Sequence, residues 1–173
     1  MKAEEHASLF QRWLRDHIGL MLKVIRAFAA TPHDQEDLFQ EVLVSLWSSI
    51  PKFRGDAKET TWIYRVSFNA ALVWNRNEQR RQKQHSEFLK FAVPTVSSPD
   101  SEHHNGQVMI DRLYEAIRQL PKLEASLAIM LLDGLSYQEM SDVLGISENY
   151  IGVKLNRIRK QLTEILKEST NEL

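Results

Sequence analysis

The stretch from Leu135 to Leu162, LSYQEMSDVLGISENYIGVKLNRIRKQL, constrains the fold more than any other. Ser136 followed three residues later by Glu139 is a capping box, which predicts a helix from Tyr137 with Tyr137, Met140, Val143 and Leu144 facing a core. Gly145 ends that helix, Ile146 fills the turn, and Ser147 is a good N-cap for a second one. In the second helix Ile151, Leu155, Ile158, Leu162 and Ile165 recur at alternating spacings of four and three, which makes one buried stripe. The other faces carry Asn149, Tyr150, Val153, Lys154, Asn156, Arg157, Arg159 and Lys160, with no acidic residue between Asn149 and Thr163. Such a surface suits the major groove of DNA, where cations neutralise phosphates and Asn or Arg make paired hydrogen bonds to base edges. A solvated basic helix in a bundle is the alternative. Capped helix, glycine turn and capped helix is the helix-turn-helix pattern, however, and basic bundle helices usually interleave acids. Asn156 and Arg157 lie opposite the apolar stripe and are expected near base edges. Lys154 and Arg159 flank the stripe and are expected on phosphates with Ser147 and Tyr150 beside them, while Lys160 suits either role.

A DNA-binding reading must survive a formal net charge of −1. The charges are segregated: residues 51–90 hold 9 basic and 4 acidic side chains, whereas residues 91–145 hold 3 and 8. Two basic surfaces separated by acidic ones fit a protein that touches DNA in two places without coating it. The chain has 173 residues, 43% of them hydrophobic, enough for one domain or two small ones with real cores. With no cysteine, disulfides and thiolate metal sites are excluded and a reducing compartment fits. The start, MKAEEHASLF, lacks a signal peptide's pattern and no stretch is long enough to span a bilayer, so the expected location is the cytoplasm, without direct membrane insertion.

Residues 8–29 place Phe10, Leu14, Ile18, Met21, Ile25 and Phe28 at helical spacing, with Trp13 and Val24 widening the face. Thr31 and Pro32 then open a second helix, with Asp34 closing a box-like pair. Its sides differ: Leu38, Phe39, Val42, Leu43, Leu46 and Ile50 form one, and Asp34, Asp37, Glu41 and Val44 the other, flanked by Gln40 and Trp47. The acidic side reads as a solvated face, a docking face or, least of all, a carboxylate metal centre, since His33 stands alone and no second Glu-x-x-His helix exists. Pro51 ends the helix. After the loop KFRGDAKET a long helix begins near Thr60, carrying Trp62, Tyr64, Phe68 and Trp74 before Arg76, Arg80, Arg81 and Lys83. Rings beside cations suit single-stranded nucleic acid; rings pointing at the first two helices are core instead. The segment AVPTVSSPDSEHHNGQ at 92–107 reads as a flexible linker, in which Glu102, His103 and His104 are too close in sequence to converge on one ion. Order returns near Met109, with Ile110, Leu113, Ile117 and Leu120 in one helix. Pro121 opens the next, packed through Leu123, Leu127, Met130 and Leu131.

These motifs together resemble the extracytoplasmic-function sigma factors, the smallest class of the sigma-70 family of bacterial transcription initiation factors. The resemblance rests on DQEDLFQEVLVSLW at 34–47, FRGD followed by TWIYRVSFNAA at 53–71, and LSYQEMSDVLGIS with VKLNRIRKQL at 135–162. It implies an all-α chain of two small helical domains, region 2 at 1–90 and region 4 at 109–173, joined by a flexible linker at 91–108. It also implies that Asp34, Asp37, Gln40, Glu41 and Trp47 dock on the clamp helices of the polymerase largest subunit, with the flap region as a further contact. The loop at 52–60 and the helix after it match the part that opens the −10 element and holds a flipped base, a step costing a few kcal/mol of stacking and pairing. Phe53, Arg54, Arg65, Asn69, Arg76, Arg80 and Arg81 are the implied −10 residues, and the helix after Ser147 matches the −35 reader. Val73 stands where many relatives carry Asp or Asn, and RNEQRRQK is less continuously basic than usual, so the resemblance leaves the −10 sequence preference open.

The expected function is a promoter-specificity factor with core polymerase, promoter DNA and an anti-sigma factor as partners. The anti-sigma factor would be a means of holding it at the inner membrane. No catalytic residue, metal, cofactor or small-molecule substrate is expected. The rivals are a dimeric helix-turn-helix repressor or activator, which has no use for the 34–83 segment, and a helical carboxylate-metal enzyme.

Overall fold

The computed structural model describes residues 3–88 and 105–171, and every regular element in them is helical. The N-terminal unit is α1 (Ala3–Phe28), α2 (Pro32–Ser49), a 3₁₀ turn (Ile50–Lys52) and α3 (Glu59–Phe88). The C-terminal unit is α4 (Asn105–Gln119), α5 (Lys122–Leu132), α6 (Tyr137–Leu144) and α7 (Glu148–Asn171). The expected linker lies outside the described residues from 91 to 104, together with Glu102, His103 and His104. Its last part, 105–108, belongs to α4.

Local chemistry sets the boundaries. Thr31 takes the α2 N-cap in extended backbone, its hydroxyl accepting from the Asp34 amide at 3.1 Å, and Pro32 fills the first helical position. Leu38, Val42 and Leu46 line the fully buried side of α2, continued by Ile50 of the 3₁₀ turn. In α3 the aromatics divide as their direction dictates: Tyr64 and Phe68 are core, stacked with centroids 5.6 Å apart. Trp62 and Trp74 are half-buried, and the Trp62 indole N–H donates to Ser49 Oγ at 3.1 Å.

The α1 stripe is rotated from the expected one. Trp13, Met21, Val24, Ile25 and Phe28 are buried, Phe10 and Leu14 only partly, and Ile18 is 42% exposed. The reason is that α1 serves two layers, packing on α2 and α3 on one side and on α4 and α5 on another. Trp13 turns toward Phe53, with centroids 5.2 Å apart. Farther along, the buried face widens where both units meet.

In the C-terminal unit Ile151, Leu155 and Ile158 are completely buried against Ile117, Leu127, Ile129, Met130, Met140 and Val143. Each such side chain stabilises by about 1.5–3 kcal/mol relative to exposure. Two expected core positions are not core. Ile110 is 43% exposed at the start of the α4 stripe, and Tyr137 is 38% exposed, with one edge of its ring 3.5 Å from where a Cβ on Gly152 would stand.

Candidate nucleic-acid interface and docking face

The helix-turn-helix is built as its sequence dictates. Ser136 Oγ accepts from the Glu139 amide at 3.2 Å, and the Ser136 amide donates to the Glu139 carboxylate at 2.9 Å. Gly145 closes α6 at φ 69°, a left-handed conformation that a side chain would strain. Ser147 Oγ then accepts from the Tyr150 amide at 3.3 Å at the start of α7. Across from the buried stripe Asn149, Tyr150, Val153, Asn156, Arg157, Arg159 and Lys160 are exposed. Lys154 differs from the other cations of α7. Its ammonium is held 2.7 Å from Glu124 of α5 and its side chain is only 22% exposed, so its charge is paired within the unit.

On α2, Gln40, Glu41, Val44 and Trp47 are exposed and Asp34 and Asp37 half-exposed. Asp34 accepts from the Thr31 hydroxyl at 2.7 Å, and Asp37 lies 3.8 Å from His33. Asp37, Gln40 and Glu41 line a groove of about 310 Å³ whose other wall is Val73, Trp74 and Arg81 of α3. Trp47 stands apart from this groove: His6 stacks on it with centroids 4.2 Å apart, Phe10 meets it edge-on at 5.2 Å, and the His6 ring lies 2.9 Å from its carbonyl oxygen.

Of the residues expected at a −10 element, Arg65, Asn69, Arg76 and Arg80 share one exposed face of α3 by their helical spacing, whereas Arg81 lies on another side and Phe53 and Arg54 precede the helix. Arg54, Asn69, Arg76, Arg80 and Arg81 are exposed, with Arg81 3.7 Å from Glu78. Phe53 is instead wedged between Trp13 and Trp62, at centroid distances of 5.2 and 5.6 Å, so its ring is a packing element rather than an open stacking platform. Arg65 reaches across to the other unit. Its guanidinium donates to the carbonyls of Asp142 and Val143, the last turn of α6, which is the favourable end of a helix for a cation.

Sequence reasoning missed the rest of this seam. Lys58 pairs with Glu139 at 2.7 Å, Lys23 and the Tyr64 hydroxyl both meet Asp133, and Arg26 pairs with Asp111 at 2.6 Å. Arg26 also lies 4.3 Å over the Tyr114 ring, and Arg118 donates to its carbonyl at 3.0 Å. Burial, then the bond to Asp133, pushes the Tyr64 hydroxyl far above its ordinary pKa. The Lys58 ammonium and the Ser136 donors hold the Glu139 carboxyl down at about 2. The charge blocks gave only part of the signal: Lys58 of the basic block at 51–90 meets Glu139 of the acidic block at 91–145, but Lys23 and Arg26 come from outside the basic block. Among the described residues no group of three or more His, Asp or Glu could hold a metal ion, and no helix is long and apolar enough to cross a membrane.

Two family models match, sigma-70 region 2 over residues 13–81 and sigma-70 region 4 over residues 110–162. Among curated relatives, the ECF RNA polymerase sigma factor SigE of Mycolicibacterium smegmatis is 25% identical over 161 residues, covering 92% of this chain. The chain spans 62% of that relative's length. The RNA polymerase sigma-H factor of Pseudomonas aeruginosa is 24% identical, covering 88% of this chain and 83% of that protein. Two solved structures share the fold at 19% identity. The sigma factor RpoE in complex with the anti-sigma factor NepR, from Bartonella quintana, aligns with a TM-score of 0.66 over 91% of this chain and 96% of that one. CnrH in complex with the cytosolic domain of CnrY aligns at 0.67 over 96% and 95%.

Proposed function

The chain belongs to the extracytoplasmic-function class of the sigma-70 family, and from that membership we propose that it is a promoter-specificity factor of bacterial RNA polymerase. It docks on the core enzyme, recognises −10 and −35 elements and helps to open the strands, while the polymerase's own active site makes the RNA. Asp34, Asp37, Gln40, Glu41 and Trp47 form the docking side toward the largest-subunit clamp helices, and the C-terminal unit meets the flap region. Arg54, Arg65, Asn69, Arg76, Arg80 and Arg81 face the −10 element, and the exposed side of α7 from Ser147 to Lys160 reads the −35 element. The domains are region 2 at 1–90 and region 4 at 109–173. An anti-sigma factor is the expected regulator in the cytoplasm, since the RpoE of similar fold is held by one, NepR.

One observation carries the reading: an acidic docking helix, a basic helix and a capped helix-turn-helix occur in the order in which the two family models match. Supporting it, the outer side of α7 is open while its inner stripe is fully buried. The test is reconstitution with core polymerase and selection of bound promoters from a random pool. A stable complex that enriches paired −35 and −10 sequences is expected. Failure to bind core, with dimeric binding to duplex DNA alone, would replace it with the repressor reading.

A further inference from the structure

Glu124 is the one charged residue in the core of the described chain, 7% exposed. It sits in the first turn of α5, where the helix dipole favours a carboxylate, and α5 packs directly beneath α7. Its partner is Lys154, 2.7 Å away, whose ammonium also lies 5.6 Å over the exposed ring of Tyr150. The four cations of α7 between Asn149 and Thr163 therefore fall into two classes. Arg157, Arg159 and Lys160 are exposed with charges open to solvent, whereas Lys154 is turned inward and matched by a carboxylate.

A cation contributes to phosphate binding by displacing condensed counterions, and one already neutralised by a buried carboxylate releases none. Leaving Glu124 costs Lys154 a desolvated partner, because a buried carboxylate stripped of its cation is strongly unfavourable. The pair also fixes where α7 lies on α5, and its ammonium fixes the Tyr150 ring on the exposed side.

We propose that Glu124 is a specificity-setting positioning residue of the reader helix, withdrawing Lys154 from the phosphate-binding set and making it a strut that holds α7 and Tyr150 in place. This rests on α7 reading the −35 element. It predicts that Lys154 counts as a cation toward DNA only when Glu124 is absent. The effect is lower affinity for unrelated DNA and, with it, a higher ratio of promoter to non-promoter binding.

The experiment measures the salt dependence of promoter binding by reconstituted holoenzyme carrying wild type, K154M, E124Q or the E124Q/K154M pair. Each is tested on a selected promoter and on one with a scrambled −35 element. K154M in the wild-type background should leave the slope of log K against log salt unchanged while lowering the promoter preference. E124Q should steepen the slope by about 0.9, so that its binding falls roughly threefold more than that of wild type between 50 and 200 mM salt. Its promoter preference should also drop. In the double variant the slope should return to the wild-type value. Because that variant removes both charges, it folds without a stranded carboxylate and keeps the test decisive if K154M alone does not fold. An equal slope decrease from K154M in both backgrounds would make Lys154 an ordinary phosphate contact and overturn the proposal. A wild-type holoenzyme indifferent to the −35 scramble would instead overturn the reading of α7 itself.

Discussion

In α7 the exposed side chains lie across the helix from a stripe that is buried within the same unit, whereas in α3 one of the candidate DNA residues, Arg65, is also bonded to the other unit. Arg157 and Asn156 are open whatever the N-terminal unit does. Arg65, by contrast, ends on α6, and Lys58 on Glu139 of that same helix. A helix-turn-helix carries its reading surface with it. Arg65 and Lys58 are released from α6 only when the C-terminal unit is elsewhere. The acidic side of α2 lies away from the seam, so the proposed docking and reading surfaces can be perturbed independently.

The largest effect expected from that independence is on docking. Reversing both Asp37 and Glu41 to Lys should weaken binding to core polymerase by about 2–5 kcal/mol for each desolvated pair lost, and far less for pairs at a rim. The −35 preference of whatever complex still forms should be unchanged. A titration of core with labelled protein checks it, and unchanged affinity would remove α2 from the docking surface.

Next in size is the coupling between units. Leu155 is fully buried in α7, and Leu155→Ala should cost about 2–5 kcal/mol. All four tryptophans, at 13, 47, 62 and 74, belong to the N-terminal unit, so their fluorescence reports on a different body from the one mutated. With the units joined as described, denaturation followed by fluorescence and by helix content should shift together. A tryptophan transition that stays put would show that the seam does not couple them.

Within the reading surface itself, Arg157→Ala should cost about 1–3 kcal/mol on the best promoter and relax preference at one base. Binding measured on single-base promoter variants checks this. Equal losses on every sequence would move Arg157 to the phosphates and leave Asn156 as the base reader.

What was legible in the sequence was local. The box of Ser136 and Glu139, the Thr31 cap and the glycine at 145 act over three or four residues, and the stripe of Ile151, Leu155 and Ile158 needs only the helical period. What was missed acts over long separations. Lys154 meets a carboxylate thirty residues away and Arg65 a helix end seventy-seven away, and no periodicity announces either. The α1 stripe was misplaced for the same reason, since Ile18 fits the period but the second layer beside α1 decides which side is buried. Phe53 fits the motif that assigned it to DNA, yet two tryptophans from separate helices enclose it.

The smallest effect tests the seam through one carboxyl group. Glu139 is held at about 2 against an ordinary 4.5, first by the hydrogen bond from Lys58 in the other unit and then by the amide and hydroxyl of Ser136 in its own. A carboxyl depressed by folding binds protons less readily in the folded state. Its contribution is therefore complete above pH 4.5 and is lost as the pH falls toward 2. Both partners are solvent-accessible, so the loss should be small and weakened by salt. The two causes can be separated because they lie in different units. Lys58→Met removes the bond across the seam and leaves the cap, whereas Ser136→Ala removes the hydroxyl donor, keeps the backbone amide that also donates to Glu139, and leaves the seam. Stability measured from pH 6 to pH 2 should show the larger part of the acid-sensitive component missing in K58M and the smaller part missing in S136A. The reverse ranking would make Glu139 chiefly a local cap, and the reading surface of α7 would then be independent of the N-terminal unit in its electrostatics as well as in its packing.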